Sequence, residues 1–342
     1  MRQLLKLMVL AASLTWAVIV IARADFPTAW GDLCHRTSAS QRGVLLALFF
    51  VPSAIFQWLD TCGWRAVYAR SSAAPSFGRL YSIWLAGEAV NQATPVLPLG
   101  GEPVKALLIR TLGHSGTDAA ASILSARTAM ILAQVLFTLS ALTLALGTAR
   151  AQAQWLSSLA VFPAVLGGVI AITLGGALVA PREVRRRVGR RIGTGRGGKL
   201  VVAAGAALRG CRKDPAAFVA ALCWFVAGWA VVSGEFWLVA RVLGRPLSIT
   251  QALELEGMMN AICMATFFIP GNLGSQEAGL LFVSGLFQAG SPAGAVMLIL
   301  RRVREAAWVG AGLACLAHLG GGGALVRFMR GAGHGLVKEE AA

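Results

Sequence analysis

The sequence predicts an all-α polytopic membrane protein: six spans plus two re-entrant helical hairpins, arranged as an inverted repeat. Three observations lead there. First, 56% of the 342 residues are hydrophobic and only 13% are charged, whereas a soluble domain carries roughly 25% charged residues. One globular core cannot hold that much apolar surface, so lipid must solvate the remainder. The period-2 alternation of a membrane barrel is absent. Second, the net charge of +16 is concentrated: residues 182–213 hold eleven Lys and Arg against Glu183 alone. Between two apolar stretches this marks a cytoplasmic loop. Such a loop suits anionic head groups, and nucleic acid is not an expected partner. Third, two stretches echo each other. Gly87–Arg127 holds Gly87-Glu88, Asn91, the break Pro98-Leu99-Gly100-Gly101, Glu102 and Arg127. Glu256–Arg302 holds Glu256-Gly257, Asn260, the break Pro270-Gly271-Asn272-Leu273-Gly274, Glu277 and Arg302. The Glu-to-Arg separation is 25 positions in both, while Asn-to-Glu is 11 in one and 17 in the other. This is a diverged repeat, and a repeat constrains the whole architecture.

The elements follow in order. Leu4–Ala22 is apolar apart from Lys6. Two readings fit it: a signal peptide ending at Ala22-Arg23-Ala24, or an uncleaved first span with its N-terminus inside. The second suits the later topology better. Residues 24–42 read as a short polar loop and Gly43–Leu59 as the second span. Arg65, Arg70 and Arg79 mark the next loop as cytoplasmic. Leu80–Leu97 is interrupted by Glu88, Asn91, Gln92 and Pro95, and a short helix is expected from Glu102-Pro103, since Pro suits a first helical turn. Residues 80–112 therefore read as a re-entrant hairpin. Broken backbone at membrane depth must be buried in protein or line a wet cavity.

Ala119–Gly147 is the third span, with Arg127 inside it, and Trp155–Ala180 the fourth. Asp214 and Pro215 open the fifth, through Ala240. Ser248–Ile269, the break at Pro270-Gly271-Asn272 and a short helix to Gln288 form the second hairpin. Ser291-Pro292 starts the sixth span, which carries Arg301, Arg302 and Arg304 and ends at Gly320–Gly323. The result is one membrane domain over residues 1–342, with halves of about 1–150 and 151–330 and both termini cytoplasmic. An odd number of spans separates the hairpins, so they enter from opposite faces. Inverted repeats with broken helices meeting near the midplane are a transporter signature.

The candidate binding residues lie in the two echoes. Arg127 is nine residues after Asp118 and Arg301 nine after Pro292, which puts each about 13–14 Å into its helix at 1.5 Å per residue. An Arg at that depth costs about 2.5–3.5 kcal/mol on insertion scales and needs a cavity or a partner. For Arg127 the plainer alternative is a structural ion pair. For Arg301, Arg302 and Arg304 it is a cytoplasmic loop between spans 278–300 and 306–326. Glu102 and Glu277 open the second helices of the hairpins, where a carboxylate is also stabilised simply by the helix dipole. The functional reading uses the same dipole. Two helix N-termini with Gly-rich turns, at Gly101 and Gly274, would bind an anionic group, and the arginines would add fork-shaped donors suited to phosphate. Glu88, Asn91, Glu256 and Asn260 are candidates for the cavity wall, or for polar contacts at helix ends.

No catalytic residue, cofactor or metal site is expected. The six Cys show no CxxC, the four His are scattered, and neither HExxH nor a phosphate-binding GxxxxGK[ST] loop is present.

At GEAVNQATPVLPLGGEPVKALLIR…SARTAM and FFIPGNLGSQEAGLLFVSGLF…LRRVRE the chain resembles the flippase-like transmembrane family of lysylphosphatidylglycerol synthases, which includes the membrane domain of the multiple-peptide-resistance factor. The IPGNLGSQEAG segment looks most like small stand-alone bacterial members, some associated with hopanoid lipid biosynthesis. The resemblance covers nearly all of residues 1–330. It implies movement of lipids between leaflets of a bacterial inner membrane. It also implies functional positions at Asn91, Gly101, Glu102 and Arg127, then at Pro270, Gly274, Glu277 and Arg302. Only a dozen residues follow Arg330, so no aminoacyl-transferase domain, and no synthase activity, is expected.

Three functions fit the sequence. One is a flippase-like transporter of a lipid with an anionic or otherwise polar head group. Another is a membrane-embedded lipid-linked transferase, which would need more than the carboxylates on offer. The third is a non-transporting scaffold for lipid-synthesis enzymes.

Overall fold

The computed structural model describes residues 31, 34–35, 38–68, 75–93, 101–114, 116–148, 214–242, 244, 247–266, 272, 274–286 and 290–320. The expected first span at 4–22, the fourth at 155–180, the basic loop 182–213, and Pro98 and Pro270 in the two breaks lie outside them. The described elements are α1 (Ala39–Tyr68), α2 (Phe77–Ala93), α3 (Gly101–Thr111), α4 (Gly116–Thr148), α5 (Pro215–Val232), α6 (Gly234–Val242), α7 (Ile249–Ala265), α8 (Ser275–Leu286) and α9 (Gly290–His318). All are helical.

Local chemistry sets several boundaries. Asp214 caps α5 by accepting a hydrogen bond from the Ala217 N–H at 3.1 Å, with Pro215 at the first helical position. Ser248 and Gln251 form a reciprocal capping box at the start of α7. Gly113 follows α3 at φ +84° and Gly320 follows α9 at φ +69°, backbone angles that glycine adopts without strain and that end helices. The boundaries also shift. α1 is longer than the range Gly43–Leu59 expected for a second span: it continues past Leu59 to Tyr68 and carries Arg65 in its last turn. The stretch expected as a fifth span divides into α5 and α6 at Ser233, whose N–H and hydroxyl both turn back onto the Trp229 carbonyl. Of the stretch Ser248–Ile269, the described helix spans Ile249–Ala265, and residues 267–269 lie outside the described residues.

Ala119–Ala145 and Pro215–Val242 are 27 and 28 residues long, with mean hydropathies of 1.8 and 2.0. Both are long and apolar enough to cross a membrane, for which about 20 residues suffice. α1 shows the solvent directly. Leu48, Val51, Ile55 and Trp58 form its outward stripe, each more than 40% exposed, while Ser53, Gln57, Asp60 and Thr61 are buried on the inward side. Apolar outside and polar inside is the reverse of a water-soluble helix.

Two apolar cores result. One gathers Trp64, Leu80, Ile83, Trp84, Leu108, Ile109, Ala126, Phe225 and Leu316 around α2 and α3. The other gathers Phe49, Leu142, Val239, Leu255, Met259, Leu280, Val283 and Met297 around α7 and α8. α1, α4 and α9 contribute to both, by opposite ends. The short helices α2–α3 and α7–α8 therefore pack toward opposite ends of the same long helices. α9 lies against α2, where a Cβ on Gly312 would overlap the Leu85 carbonyl.

Candidate functional site

The first group of polar residues is built by α2, α3 and α4. A Cβ at Gly101 would overlap the Gly87 carbonyl, so only glycine permits this approach of α3 to α2. The Gly101 N–H donates to Asn91 Oδ1 at 2.7 Å. Asn91, not Glu102, thus satisfies an otherwise orphaned donor at the start of α3. The Asn91 amide also reaches Glu88 at 3.4 Å and Glu102 Oε1 at 3.5 Å. Glu102 Oε1 lies 3.8 Å from Arg127 Nη1, an ion pair at longer than hydrogen-bond distance. Lys105, which sequence reasoning passed over, is the centre of the group. Its Nζ donates to Glu88 Oε1 at 2.6 Å, stands 4.0 Å from Glu102, and sits 3.7 Å from the centre of the Trp84 ring. The Trp64 ring is 5.9 Å away on another side. Between Glu102, Lys105 and Arg127 lies a cavity of about 10 Å³, closed by Trp64 and Trp84, space for about one water. Glu102 Oε2 is buried there without a hydrogen-bond partner among the described residues.

The second group is built by α6, α7, α8 and α9. Asn272 at φ +50° and Gly274 at φ +83° bend the backbone into α8. Glu277 Oε2 accepts the Gly274 N–H at 2.6 Å, so the helix-capping role expected of this glutamate is real. Its other oxygen holds Arg302 through both Nε and Nη2, a forked pairing. Arg302 also donates to Glu305 at 2.6 Å, and Gln276 donates to the same carboxylate at 3.1 Å. Arg301 pairs with Glu256 and lies over the Phe236 ring at 4.9 Å. Arg304 pairs with Glu235, which is fully buried on α6. The loop expected as an alternative at Arg301–Arg304 does not form: all three arginines lie inside the continuous helix α9. The physical reason is that each has a buried carboxylate to neutralise it.

The equal Glu-to-Arg spacing is thus realised as a Glu–Arg ion pair twice, loose in the first group and hydrogen-bonded in the second. Glu102 meets Arg127, and Glu277 meets Arg302. In each case the glutamate is in the first turn of a short helix, and the arginine is inside the long helix that follows. Asn91, Gly101, Glu102 and Arg127 come together in one group, and Gly274, Glu277 and Arg302 in the other. The Asn residues diverge. Asn260 does not cap α8 as Asn91 caps α3; its Oδ1 accepts from Gln134 Nε2 on α4 at 3.2 Å, a contact across the two halves. Lys105, Glu235 and Glu305 were missed. The available signal was strongest for Glu235, an isolated acid in the apolar run that follows Asp214; Lys105, close to Glu102 and Arg110, and Glu305, next to Arg304, are charges inside membrane-grade helices that equally demand partners. Among the described residues no cluster of His, Cys, Asp and Glu is arranged to hold a metal.

No curated protein and no solved structure matches the chain. The family model for the lysylphosphatidylglycerol synthase TM region matches residues 3–312. That match takes in both acid–arginine pairs and every described helix up to the last turns of α9. The chain is therefore a transmembrane protein with a lipid-related function, and it belongs to the lysylphosphatidylglycerol synthase TM-region family.

Proposed function

We propose that this protein is a flippase-like transporter that moves a lipid with a polar head group between the leaflets of a bacterial inner membrane. The head group passes through the polar interior bounded by the two short-helix pairs, and the apolar tail stays in the surrounding lipid. The single observation that carries this reading is the doubled Glu–Arg contact, one in each half, set among the helices on the side away from their exposed apolar stripes. A protein needing only a scaffold has no use for two such pairs at the same spacing, since well-packed apolar residues stabilise as well or better.

In this reading the chain is one domain of two inverted halves, each contributing a re-entrant hairpin, with both termini cytoplasmic. The packing of α2–α3 and α7–α8 toward opposite ends of the long helices supports it. The proposed contact residues are Asn91, Gly101, Glu102 and Arg127 on one side, and Asn260, Gly274, Glu277, Arg301 and Arg302 on the other. Arg302 is the entry point of choice. Its side chain is 30% exposed and shared between two carboxylates, so a phosphate or carboxylate on the head group can replace Glu305 without leaving the guanidinium unpaired.

The test is reconstitution in vesicles. Head-group exposure of labelled neutral, anionic and hopanoid lipids is followed for the parent, Arg127→Ala and Glu277→Gln, after each variant is shown to fold. Transbilayer movement lost in both variants supports the reading, and the lipid that moves names the substrate class. Movement that persists in both sinks the site. No movement of any lipid, combined with a donor-dependent product, would replace the transporter with a lipid-modifying transferase.

A further inference from the structure

Asp60 is a buried carboxyl that none of the contacts described so far employs. It lies in the middle of α1, 3% exposed. Among the described residues it makes no hydrogen bond and no ion pair. Gly228 of α5 backs it, since a Cβ there would stand 3.6 Å from Asp60 Oδ1. Its own helix turns it toward the first polar group. Gln57, one turn before, accepts the Trp84 indole N–H at 3.1 Å, and Trp64, one turn after, donates to Ser122 at 3.3 Å. Those two rings enclose the Lys105 ammonium.

The charges that act on Asp60 are Glu88 from α2, Lys105 from α3 and Arg127 from α4. The described part of α5 carries no charged side chain within the helix. α6 and α9 bring Glu235 and Arg304, already paired with each other near Phe49 at the far end of α1. Cys62 and Arg65 are on α1 itself. With Glu102 included, the group holds three carboxyls, Asp60, Glu88 and Glu102, against two cations, Lys105 and Arg127. An isolated carboxylate in such a setting carries a heavy desolvation penalty, and binding a proton removes it. One proton on Asp60 makes the group neutral.

We propose that Asp60 is a proton-binding site, and that it couples lipid movement to a transmembrane proton gradient by competing with Glu88 for Lys105. With Asp60 protonated, Lys105 rests on Glu88 as observed. When the proton leaves, the Asp60 carboxylate attracts the ammonium, and the flexible lysine stem, which already lies against Gly87 where a Cβ would collide with it, swings its end away from Glu88. Proton binding rests on the burial of Asp60 and its place on the face of α1 that carries Gln57 and Trp64; the coupling rests on the transporter reading above.

Infrared difference spectra of the protein in nanodiscs, recorded as pH is stepped, test the site. The expected result is a carboxylic-acid C=O band that disappears as pH rises, is lost in Asp60→Asn, and disappears at higher pH in Lys105→Met, where the nearby cation is gone. Should Asp60→Asn fail to fold, the wild type still answers: dicyclohexylcarbodiimide, which reacts with protonated carboxyls in apolar surroundings, should label Asp60 in peptide mapping, and less so as pH rises. A band or label indifferent to Asp60 and to pH overturns the proton site. In proteoliposomes an imposed pH gradient should accelerate labelled-lipid movement in the wild type, and that acceleration should vanish in Asp60→Asn. A surviving response, or a response to a sodium gradient instead, overturns the coupling. If no lipid moves even in the wild type, the transporter reading falls, while the band and the label still decide the proton site.

Discussion

Lys105→Met tests the most informative contact in the structure, because it removes a buried cation while keeping the length and apolar bulk of the stem. The Lys105 side chain is 2% exposed and donates to Glu88 at 2.6 Å. Its loss leaves Glu88 charged in a region where the remaining donor is the Asn91 amide at 3.4 Å. Removing one partner of a buried pair costs about 3–5 kcal/mol, because the other charge is stranded. The contact with the Trp84 ring at 3.7 Å adds roughly 0.5–2 kcal/mol. A loss near 4 kcal/mol should lower the midpoint of thermal unfolding in detergent by about 5–10 °C. The diagnostic variant is the double one. Lys105→Met with Glu88→Gln removes both charges, and replacing a buried pair by neutral groups of similar size is often close to neutral. Most of the loss should therefore be recovered, giving a coupling energy of roughly 2–3 kcal/mol in a double-mutant cycle. If the single variant unfolds within about 1 °C of the parent, or the double variant is no better than the single, Lys105 and Glu88 are not a buried pair and the reasoning fails.

Three further outcomes follow from named contacts. Gly312→Ala should destabilise by about 1–3 kcal/mol, because its Cβ would overlap the Leu85 carbonyl and Ala89; Gly310→Ala, two residues earlier on α9 with open space around it, should stabilise by up to about 1 kcal/mol through helix propensity, so thermal midpoints of the two should move in opposite directions. Ser248→Ala should cost about 1 kcal/mol by opening the capping box of α7, and Ser248→Asp should restore it; equal midpoints for all three proteins would contradict the box. Arg302→Lys keeps the charge but cannot match the fork that reaches Glu277 through Nε and Nη2, so in the vesicle assay it should lose at least about tenfold in lipid movement, the equivalent of one strong hydrogen bond, and full activity in Arg302→Lys would remove the forked pairing from the mechanism.

Much of this architecture is legible in the residues alone. Composition settles the membrane class, because surplus apolar surface has to be solvated by something other than water. Asp214-Pro215, Ser248 and the glycine-rich breaks mark where helices begin and stop, since each acts on its own backbone within one turn. The equal spacing of Glu102–Arg127 and Glu277–Arg302 announces two equivalent contacts, and both form. What the residues could not reveal is which charges face which. α4 and α7 have no marked apolar face, so periodicity does not say which side of either turns inward. Lys105 is 17 positions from Glu88, Arg301 is 45 from Glu256, and Arg304 is 69 from Glu235. At those separations a pairing is decided by how helices pack rather than by how one helix turns. Packing also placed Asp60 beside the Lys105 group instead of in lipid, and it gave the two matching asparagines different work. A buried charge demands a partner wherever it sits along the chain; only the arrangement of helices in three dimensions decides which partner comes within reach.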